Sequence, residues 1–459
     1  MKIHSLDNVD INVENGMKYA LCDIKEGESI IKYGFPIGHA KCNIKKGELV
    51  HSHNLASSIS GLGDWQYKPT NEVVTSKGEG KTFLGYLRAD GSVGTRNEIW
   101  IVPTVGCANG VAKILADKTG VKALTHQFGC SQLGDDMTVT QKLLCGLIKN
   151  PNAAGILVLG LGCEENYIDA LKAVLGEYDS DRVKFLNLQD SQDEIGDGLA
   201  IINELKERIS TYERTPVPMS KLKIGIKCGG SDGYSGITAN PLVGRVAEKF
   251  AENGATVYMT EVPEVFGAEE ILLSRCDSVD TFERVKKLIQ DFRAYFISHG
   301  EGISDNPSPG NVAGGITTLE EKSLGCVQKG GHIIVKGALD FGEIADDGGL
   351  YLVNGPGNDI VAVTNLAASG AQLIMFTTGR GTPLSGPVPT MKISTNNALY
   401  AKKADWIDFN AGQLLDGKTM DEVSEEMFAE CIKCLEGKPT KAEERGLYDI
   451  AIFKNGVTL

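Results

Sequence analysis

The sequence has few aromatic residues and no hydrophobic run long enough to cross a membrane. Aromatic residues make up 7% of its 459 positions, and the longest apolar stretches have the length of a strand. The first residues, MKIHSLDN, contain no basic region followed by an apolar one, so we expect no secretory signal. These absences predict a soluble globular protein with no membrane partner, and the hydrophobic content of 42% is typical of that class.

Positive charge is also scarce. The chain has 46 basic and 60 acidic residues, a formal net charge of −14, and binding of a phosphate backbone requires a basic face. We therefore expect no nucleic-acid partner. CGGSDGYSG lacks the G-x-G-x-x-G spacing of a dinucleotide-binding turn, which disfavours a nicotinamide dehydrogenase. A small anionic substrate is still compatible, because local arginine, lysine or a metal can hold it.

Patterning divides the chain into a small β domain and two α/β domains. Residues 1–60 show short alternating runs broken by Lys-Glu-Gly and Lys-Lys-Gly turns, which predicts an all-β domain. Residues 61–81 are polar and glycine-rich, which is typical of a linker. In residues 82–215 and 216–459, strand-like runs alternate with amphipathic segments. This order predicts parallel sheets covered by helices.

Individual elements of the two α/β domains follow from these runs. Strands are predicted near 99–105, 121–127, 155–160, 183–188, 222–227, 255–260, 331–335, 373–377 and 405–409. Helices are predicted near 109–118, 135–149, 165–178, 193–211, 239–252, 278–296, 359–369 and 418–436.

Three apolar runs end in the same Gly-Cys step, at Cys107, Cys130 and Cys163. Parallel strand ends converge on one edge of a sheet, where ligands bind, so these thiols predict a metal or iron–sulfur site. Thiolates suit iron and zinc. The alternative is that they are small core residues, as cysteine often is. With eleven cysteines and no export signal, we expect free or metal-bound thiols in a reducing cytoplasm.

His51 and His53 lie two positions apart in a predicted strand, so both side chains face the same side. Two imidazoles on one face can bind a divalent metal or act as acid and base. The alternative is a pair of surface histidines. His39, in the same small domain, is a third candidate.

Two further segments carry groups suited to an anion. Arg88 and Arg96 flank a turn before a buried strand, where two guanidinium groups could hold a carboxylate; the alternative is a turn with solvated charges. CGGSDGYSG follows a predicted strand and precedes a helix, so its N–H groups, with Ser231 and Ser235, could cradle a carboxylate or phosphate. A plain strand–helix turn is the alternative.

The last domain contains unusual glycine- and proline-rich loops. In NPSPGNVAGGITTLEEKSLGC, a Thr-Thr-Leu-Glu-Glu step predicts a helix start, and Lys322 could be a catalytic base, a carboxylate clamp or a surface lysine. VNGPGND and FTTGRGTP add Asp359 and Arg380 as polar candidates after predicted strands.

Taken together, these strings resemble the altronate and galactarate dehydratase family. They are GYLRADGSVGTRN, PTVGC, GLGCE, CGGSD, NPSPGN, GGITTLEEKSLGC, GPGND, FTTGRGTP and DWIDFNAG, and the resemblance runs from about residue 2 to the C-terminal region. KIHSLDNV, IKYGFPIG, VHSHN and DWIDFNAG look more like the altronate branch. The resemblance implies a small β-clip domain of the SAF type, a dimerising middle α/β domain and a Rossmann-like C-terminal α/β domain, in a homodimer.

Members of this family are iron-dependent lyases that remove water from sugar acids. The resemblance therefore implies a cytoplasmic hydro-lyase of hexuronate degradation that converts D-altronate to 2-keto-3-deoxy-D-gluconate. Its cofactor is expected to be iron, as Fe²⁺ or an iron–sulfur cluster, with Mn²⁺ as a substitute. On this interpretation the candidate residues are His51, His53 and Lys322 for catalysis, Arg88, Arg96, Ser231, Asp232 and Arg380 for the substrate, and Cys107, Cys130 and Cys163 for the metal.

The sequence departs from the family pattern in two places. Met17 stands where the family has histidine, and Asp305 stands before the NPSPGN loop where a glutamate is expected. Alternative substrates are galactarate and sulfolactate, and Met17 also prompts the alternative of a sugar-acid-binding protein. Carboxylates of the last domain, such as Asp359 and Glu301, are a competing site for a single ferrous ion.

Overall fold

A computed structural model describes residues 2–78 and 80–459 of the chain. The N-terminal domain is built from two antiparallel three-stranded sheets, with strand orders β1-β2-β5 and β3-β4-β6. The strands are β1 (Val9–Ile11), β2 (Lys18–Ala20), β3 (Ser29–Lys32), β4 (Phe35–Ala40), β5 (Leu49–Val50) and β6 (Leu55–Ala56). Alternating burial along them places one face of each sheet in a small core, as the sequence predicts.

The middle domain has a parallel four-stranded sheet of order β10-β9-β11-β12 and a separate antiparallel sheet of order β13-β7-β8. Its strands are β7 (Thr82–Leu87), β8 (Val93–Gly94), β9 (Glu98–Pro103), β10 (Lys122–Ala123), β11 (Ala153–Gly160), β12 (Val183–Asn187) and β13 (Thr215–Pro218). Its helices are α1 (Asn109–Thr119), α2 (Asp136–Lys149), α3 (Ile168–Leu175) and α4 (Glu194–Ile209).

The last domain is an open parallel sheet of seven strands in the order β16-β17-β15-β14-β18-β19-β20. Its strands are β14 (Lys223–Cys228), β15 (Thr256–Met259), β16 (Val335–Leu339), β17 (Gly349–Val353), β18 (Leu373–Thr378), β19 (Thr390–Ser394) and β20 (Phe409–Asn410). The chain runs outward from β14 in one direction and then in the other. The carboxyl end of β14 is therefore a topological switch point, where open α/β sheets bind ligands.

The helices of this domain are α5 (Ala239–Glu252), α6 (Glu269–Leu273), α7 (Val279–Ser298), α8 (Pro309–Ala313), α9 (Leu319–Cys326), α10 (Asp359–Ala368), α11 (Asn397–Lys402), α12 (Met420–Leu435) and α13 (Lys441–Glu444). Across the chain, short 3₁₀ helices occur at Gly106–Ala108, Leu188–Asp190, Met219–Lys221, Val262–Val265, Val327–Gly330 and Ala411–Asp416. None of the described helices is both long and apolar enough to cross a membrane.

The predicted fold class, a small β domain followed by two α/β domains, is confirmed. Several individual elements differ from the predictions. The strand expected near 331–335 begins only at Val335, because Gly331 adopts a left-handed turn with φ of +47° after a 3₁₀ helix. The strand expected near 121–127 is reduced to β10, since the chain then turns and buries His126, whose Nε2 lies 2.8 Å from the Pro103 carbonyl oxygen. β17 and β19 were not predicted.

The middle and last domains share a hydrophobic core rather than meeting at a polar surface. One buried cluster combines residues of both, among them Trp100 and Leu143 with Val363 and Phe376. Helices α2 and α10 cross closely at Gly146, where a side chain would collide with the Ala368 carbonyl.

The described residues of the predicted linker, 61–78 and 80–81, lie along the last domain. The Tyr67 hydroxyl donates to the Cys276 carbonyl at 2.9 Å, and the Val74 backbone pairs with Ile333. The segment therefore connects the N-terminal and middle domains while remaining attached to the third.

A buried carboxylate attaches the N-terminal domain. Glu321, on α9, accepts from Lys18 Nζ at 2.8 Å and from Lys32 Nζ at 2.7 Å, and all three side chains are almost fully buried. Lys18 Nζ also donates to the Gly315 carbonyl at 2.6 Å, and Thr317 N donates to Glu321 Oε2 at 3.0 Å. Although burial opposes ionisation, the two lysines lower the pKa of Glu321 to about 2. One charged carboxylate thus fixes two strands of the small domain.

Replacing Glu321 with glutamine leaves two buried ammonium groups without a counter-charge. We expect Glu321→Gln to lower the free energy of unfolding by about 3–5 kcal/mol and to expose the segment 61–81 to proteases. Urea unfolding and limited proteolysis measure these effects. The matched control is Glu425→Gln, which removes an exposed ion pair with Lys249 and is expected to cost less than about 1 kcal/mol. Equal shifts in the two variants would contradict the anchoring role of Glu321.

Candidate active site

A pocket of about 600 Å³ opens at the carboxyl end of β14. Its walls come from the loop that follows β14, the NPSPGN loop, helix α9 and the GPGND loop that leads into α10. The lining residues are Cys228, Gly229, Gly230, Glu264, Asn306, Ser308, Asn311, Lys322, Gly357, Asn358, Asp359, Ile360, Thr382 and Leu384. Five of the motifs that carried the family resemblance therefore meet in this pocket: CGGSD, NPSPGN, GGITTLEEKSLGC, GPGND and FTTGRGTP.

Two thiols and two carboxylates are buried together at the base of the pocket. Cys228, Glu261, Glu264 and Cys326 each offer a ligand atom within 4.8 Å of the others. In the described part of the chain, they form the only set of three or more histidine, cysteine, aspartate or glutamate side chains with this spacing. Cys228 Sγ lies 3.4 Å from Glu264 Oε2 and 3.9 Å from Cys326 Sγ.

Three lysines, Lys227, Lys322 and Lys329, surround this cluster and offset the negative charge of its thiolate and carboxylate groups. Lys227 Nζ contacts Glu261 Oε1 and lies 2.8 Å from Asp359 Oδ1. Lys329 Nζ lies 2.7 Å from Cys326 Sγ and 3.1 Å from Glu261 Oε2. Lys227 and Lys329 are completely buried, so each ammonium group depends on these anions.

The lysines and the paired thiols shift the ionisation of the cluster. The pKa of Cys228 is lowered to about 6, first because the Cys326 thiol donates to it and then because Lys329 is close, against the effect of burial. Burial raises the pKa of Cys326, so the two thiols share one negative charge at neutral pH.

The two carboxyl groups are shifted in opposite directions. Burial, followed by the charges of Cys228 and Glu264, raises the pKa of Glu261 to about 8. Burial acts in the same sense on Glu264, but Lys322 and the other lysines outweigh it and lower its pKa to about 2. Such opposite shifts in neighbouring groups are typical of active sites.

Glu261 adopts an unusual backbone conformation. Its φ is +67°, in the left-handed region that few residues other than glycine adopt, and its side chain is fully buried. Its Oε2 accepts from the Cys228 backbone N–H at 3.0 Å. Local backbone strain held by surrounding contacts is a feature of functional sites, and here it directs a carboxylate at the end of β14.

Lys322 brings positive charge to the wall of the pocket. Its Nζ lies 2.8 Å from Glu264 Oε1 and donates to Asn306 Oδ1 at 3.1 Å and to Asn311 Oδ1 at 3.3 Å. Burial disfavours its charge, but Glu264 outweighs burial and raises its pKa. Lys322 is therefore a positioned ammonium group, suited to hold a carboxylate rather than to accept a proton.

The CGGSD loop supplies the opposite wall. Ser231 Oγ donates to Cys228 Sγ at 3.5 Å, and its carbonyl accepts from Asn311 Nδ2 at 2.8 Å, which ties this loop to the NPSPGN loop. Asp232 is buried and accepts from Thr395 Oγ1 at 2.9 Å, and burial outweighs its hydrogen bonds and raises its pKa.

Arg380 is exposed beside the pocket, outside its lining. Its backbone N–H donates to the Gly230 carbonyl at 3.1 Å, and its side chain passes Gly310 of the NPSPGN loop. The structure thus brings Lys322, Ser231, Asp232 and Arg380 to one region.

The two histidines of the small domain lie near this region but outside the lining. His51 Nε2 is 3.0 Å from the Val312 carbonyl oxygen, one residue beyond Asn311. His53 is exposed on the same turn. Met17 lies against Gly315, three residues beyond Val312. His39 contacts Ser58 Oγ at 3.0 Å, within the small domain.

Arg88 and Arg96 lie elsewhere, at the boundary between the middle and last domains. The guanidinium of Arg96 is paired with both oxygens of Glu443, at 2.7 and 3.0 Å. The guanidinium of Arg88 donates to the carbonyls of Pro151 and Arg96, at 2.9 and 2.8 Å. Neither lines the pocket at β14.

Cys107, Cys130 and Cys163 follow β9, β10 and β11 at one edge of the four-stranded sheet, and all three are exposed. Cys163 Sγ accepts from Gln189 Nε2 at 3.5 Å. These thiols lie outside the pocket lining and outside the four-residue cluster. Their role as metal ligands stays a prediction.

Asp359 and Glu301, predicted from the sequence as an alternative site for a single ferrous ion, do not both line the pocket. Asp359 lines the pocket, whereas Glu301 is exposed outside the lining, as is Asp305.

Sequence reasoning missed most of the buried cluster. Cys326 follows the same Gly-Cys step as the three predicted thiols, so that signal was present in SLGC. Lys227 directly precedes Cys228, and Lys329 follows Cys326 by three residues. Lysine is rarely buried, and the neighbouring sequence contains no signal that would predict burial of these two. Glu261 and Glu264 lie in TEVPEV, which carries no motif that we recognise.

Family models match nearly the whole chain in three parts. The SAF domain of altronate/galactarate dehydratases matches residues 2–58. The second domain of D-galactarate dehydratase/altronate hydrolase matches residues 85–210, and the C-terminal domain of D-galactarate/altronate dehydratase matches residues 219–458.

Known proteins support the same assignment. The chain is 44% identical to an altronate dehydratase of Escherichia coli (strain K12), over 100% of this chain and 99% of that protein. It is 47% identical to an altronate dehydratase of Bacillus subtilis (strain 168), over 98% and 93%. Identity to a galactarate dehydratase (L-threo-forming) of Escherichia coli is 31%, over 99% and 96%. The resemblance seen in the motifs is therefore confirmed, and the chain belongs to the D-galactarate/altronate dehydratase family, in its altronate dehydratase branch.

Proposed function

We propose that this protein is a hydro-lyase that converts D-altronate to 2-keto-3-deoxy-D-gluconate in the pocket at the end of β14. The observation that carries the proposal is the ammonium group of Lys322, held in the pocket wall beside a buried thiolate–carboxylate cluster. The full-length similarity to two altronate dehydratases favours altronate over galactarate or sulfolactate as the substrate.

The chemical task is to remove a proton next to a carboxylate and to expel a hydroxyl group. The carbanion is high in energy, so positive charge at the substrate carboxylate must stabilise the enediolate as it forms. Lys322 supplies that charge, and Asn306 and Asn311 fix its position. We propose that Arg380, exposed beside the pocket, binds the polar tail of the sugar acid. The enol product then tautomerises to the 2-keto-3-deoxy acid.

Proton transfer requires a second group. His51 is the proposed acid–base residue, because it contacts Val312, one residue beyond Asn311 of the pocket lining, and because an imidazole can both donate and accept a proton. For His53, on the same turn, we propose a supporting role. The domain holding them is fixed to α9 through Glu321, which keeps them beside the pocket mouth.

We further propose that iron is the cofactor, with Mn²⁺ as a substitute. The buried donors Cys228, Cys326, Glu261 and Glu264 have the mixed thiolate and carboxylate chemistry that suits iron and does not suit magnesium. They would hold the ion at the base of the pocket. When bound, iron would neutralise the substrate carboxylate and polarise the departing hydroxyl. Because Lys329 contacts Cys326, binding of an ion there competes with an ammonium group.

Cys107, Cys130 and Cys163 are the second proposed ligand set. They follow strands at one sheet edge, and cysteine thiolates are the usual ligands of iron–sulfur clusters. We also propose a homodimer joined through the middle domain and a cytoplasmic location, in keeping with free thiols.

The first test measures turnover of D-altronate by the iron-loaded protein. We expect the 2-keto-3-deoxy acid as the product, with slower or no turnover of galactarate and sulfolactate. Lys322→Gln keeps the side-chain size but removes the charge, and we expect the rate to fall by about 10²–10³-fold. The matched control is Lys287→Gln, an exposed lysine on α7, which should leave the rate unchanged.

Three outcomes would contradict this assignment. One is a rate for Lys322→Gln within a few-fold of the unmodified protein. Another is a clear preference for galactarate or sulfolactate. Binding of D-altronate without any keto-deoxy product would instead support a sugar-acid-binding protein.

The second test separates the two proposed ligand sets. We expect the double variant Cys228→Ser/Cys326→Ser to lose bound iron and the thiolate–iron absorption bands, because serine is a poor ligand for iron. The triple variant Cys107→Ser/Cys130→Ser/Cys163→Ser should keep the iron bound by the buried set. Metal analysis and visible spectra of anaerobically purified protein provide the measurement.

Loss of all iron only in the triple variant would place the catalytic iron at the sheet edge. Full activity with magnesium and no iron would end the iron proposal.

A further inference from the structure

A second cavity, of about 660 Å³, lies between the middle and last domains. It shares no lining residue with the pocket at the end of β14. Its walls include the turn at 88–92, the end of α2, the segment 177–183 and the first residue of β14, Lys223. The cavity thus opens beside the amino end of the strand whose carboxyl end carries Cys228. Its volume is in the range of cavities that bind small molecules.

Two guanidinium groups face this cavity without a carboxylate partner. Arg88, only 7% exposed, donates to the Pro151 and Arg96 carbonyls and to Asn97 Oδ1. Arg182 donates from Nε to the Ala153 carbonyl at 2.8 Å and from Nη2 to the Asn150 carbonyl at 2.7 Å. Neutral carbonyls fix these groups in place but do not cancel their charge.

No carboxylate among the described residues forms an ion pair with either arginine. The nearby carboxylates Asp90 and Asp179 act on Arg182 through their charges, but their close contacts are with other groups: Asp179 pairs with Arg208 at 3.1 Å, and Asp90 accepts from the Ser92 hydroxyl at 2.6 Å. Burial, followed by the neighbouring charge of Arg182, lowers the pKa of Arg88 to about 10. Two like charges are therefore held close together at the wall of an accessible cavity.

Other lining groups are suited to hydroxyl groups. Glu177, Asp179 and Asp90 present carboxylate oxygens that can accept from hydroxyls, and Tyr178 and Ser92 can donate or accept. Lys149 and Lys221 add two exposed cations that form no ion pair with another described residue. The cavity therefore combines cations for one anionic group with many acceptors for hydroxyls.

We propose that this cavity is a second binding site, for a small polyhydroxy carboxylate whose carboxylate is held between Arg88 and Arg182. The forked guanidinium groups match the two oxygens of a carboxylate, and the acidic lining matches the hydroxylated chain. The proposal rests on the lining of this cavity and is independent of the catalytic role of Lys322.

The probe is D-gluconate, titrated into the full-length protein by calorimetry. We expect one binding event that persists in Lys322→Gln and weakens by about tenfold or more in Arg182→Gln, as loss of a charge-assisted bidentate contact implies. D-sorbitol, which has hydroxyls but no carboxylate, should not compete. Lys118→Gln removes an equal charge from the exposed end of α1 and should leave gluconate binding unchanged.

Arg182 also donates to two backbone carbonyls, so Arg182→Gln could weaken binding by disturbing the fold. A second variant, without that effect, is therefore needed. Lys149→Glu reverses an exposed charge at the cavity without removing a hydrogen bond to a described residue, and we expect it to weaken gluconate binding by a similar factor. The proposal is overturned if gluconate does not bind the unmodified protein, or if binding is lost in Lys322→Gln and unchanged in both Arg182→Gln and Lys149→Glu. Competition by D-sorbitol would also overturn it, because the carboxylate would then not be recognised.

Discussion

Pairing of buried charge around the short helix α9 is the interaction on which the rest of the structure depends. Within eight residues, this helix carries three groups that need a partner of opposite charge. Glu321 holds two lysines of the N-terminal domain, Lys322 pairs with Glu264 in the pocket wall, and Cys326 contacts Lys329 in the buried cluster. Charges taken out of water are stable only when paired, so α9 joins domain docking to the assembly of the site.

This arrangement resolves a conflict between the whole chain and its substrate class. A net charge of −14 repels an anionic sugar acid at long range. Inside the last domain, however, Lys227, Lys322 and Lys329 offset the negative charge of the buried cluster at the end of β14, and Lys322 brings an ammonium group to the pocket wall. Local positive charge in a low-dielectric pocket can outweigh a diffuse negative field, because its interactions are less screened by water.

The sequence predicted the layers of the fold better than the contents of the site. Strand β11 and helices α2 and α5 follow clear apolar periodicity, and each was predicted within about two residues of its observed bounds. The CGGSD and NPSPGN loops were predicted to be functional from the sequence, and residues of both line the pocket at β14. The ion pairs could not be predicted, because Lys329 and Glu261 meet 68 positions apart only once the parallel sheet has formed. Likewise, Arg88 has the pattern of a substrate ligand, and only its tertiary contacts with Pro151 and Asn97 place it at another cavity.

The most direct test of the central claim is a crystal structure of the metal-free protein with D-altronate bound. Positive charge at Lys322 is the basis of the proposed chemistry. We therefore expect the substrate carboxylate within hydrogen-bonding distance of Lys322 Nζ, in the pocket between the CGGSD and NPSPGN loops. D-Altronate bound beside Cys107, Cys130 or Cys163, with no sugar acid in the Lys322 pocket, would contradict the account.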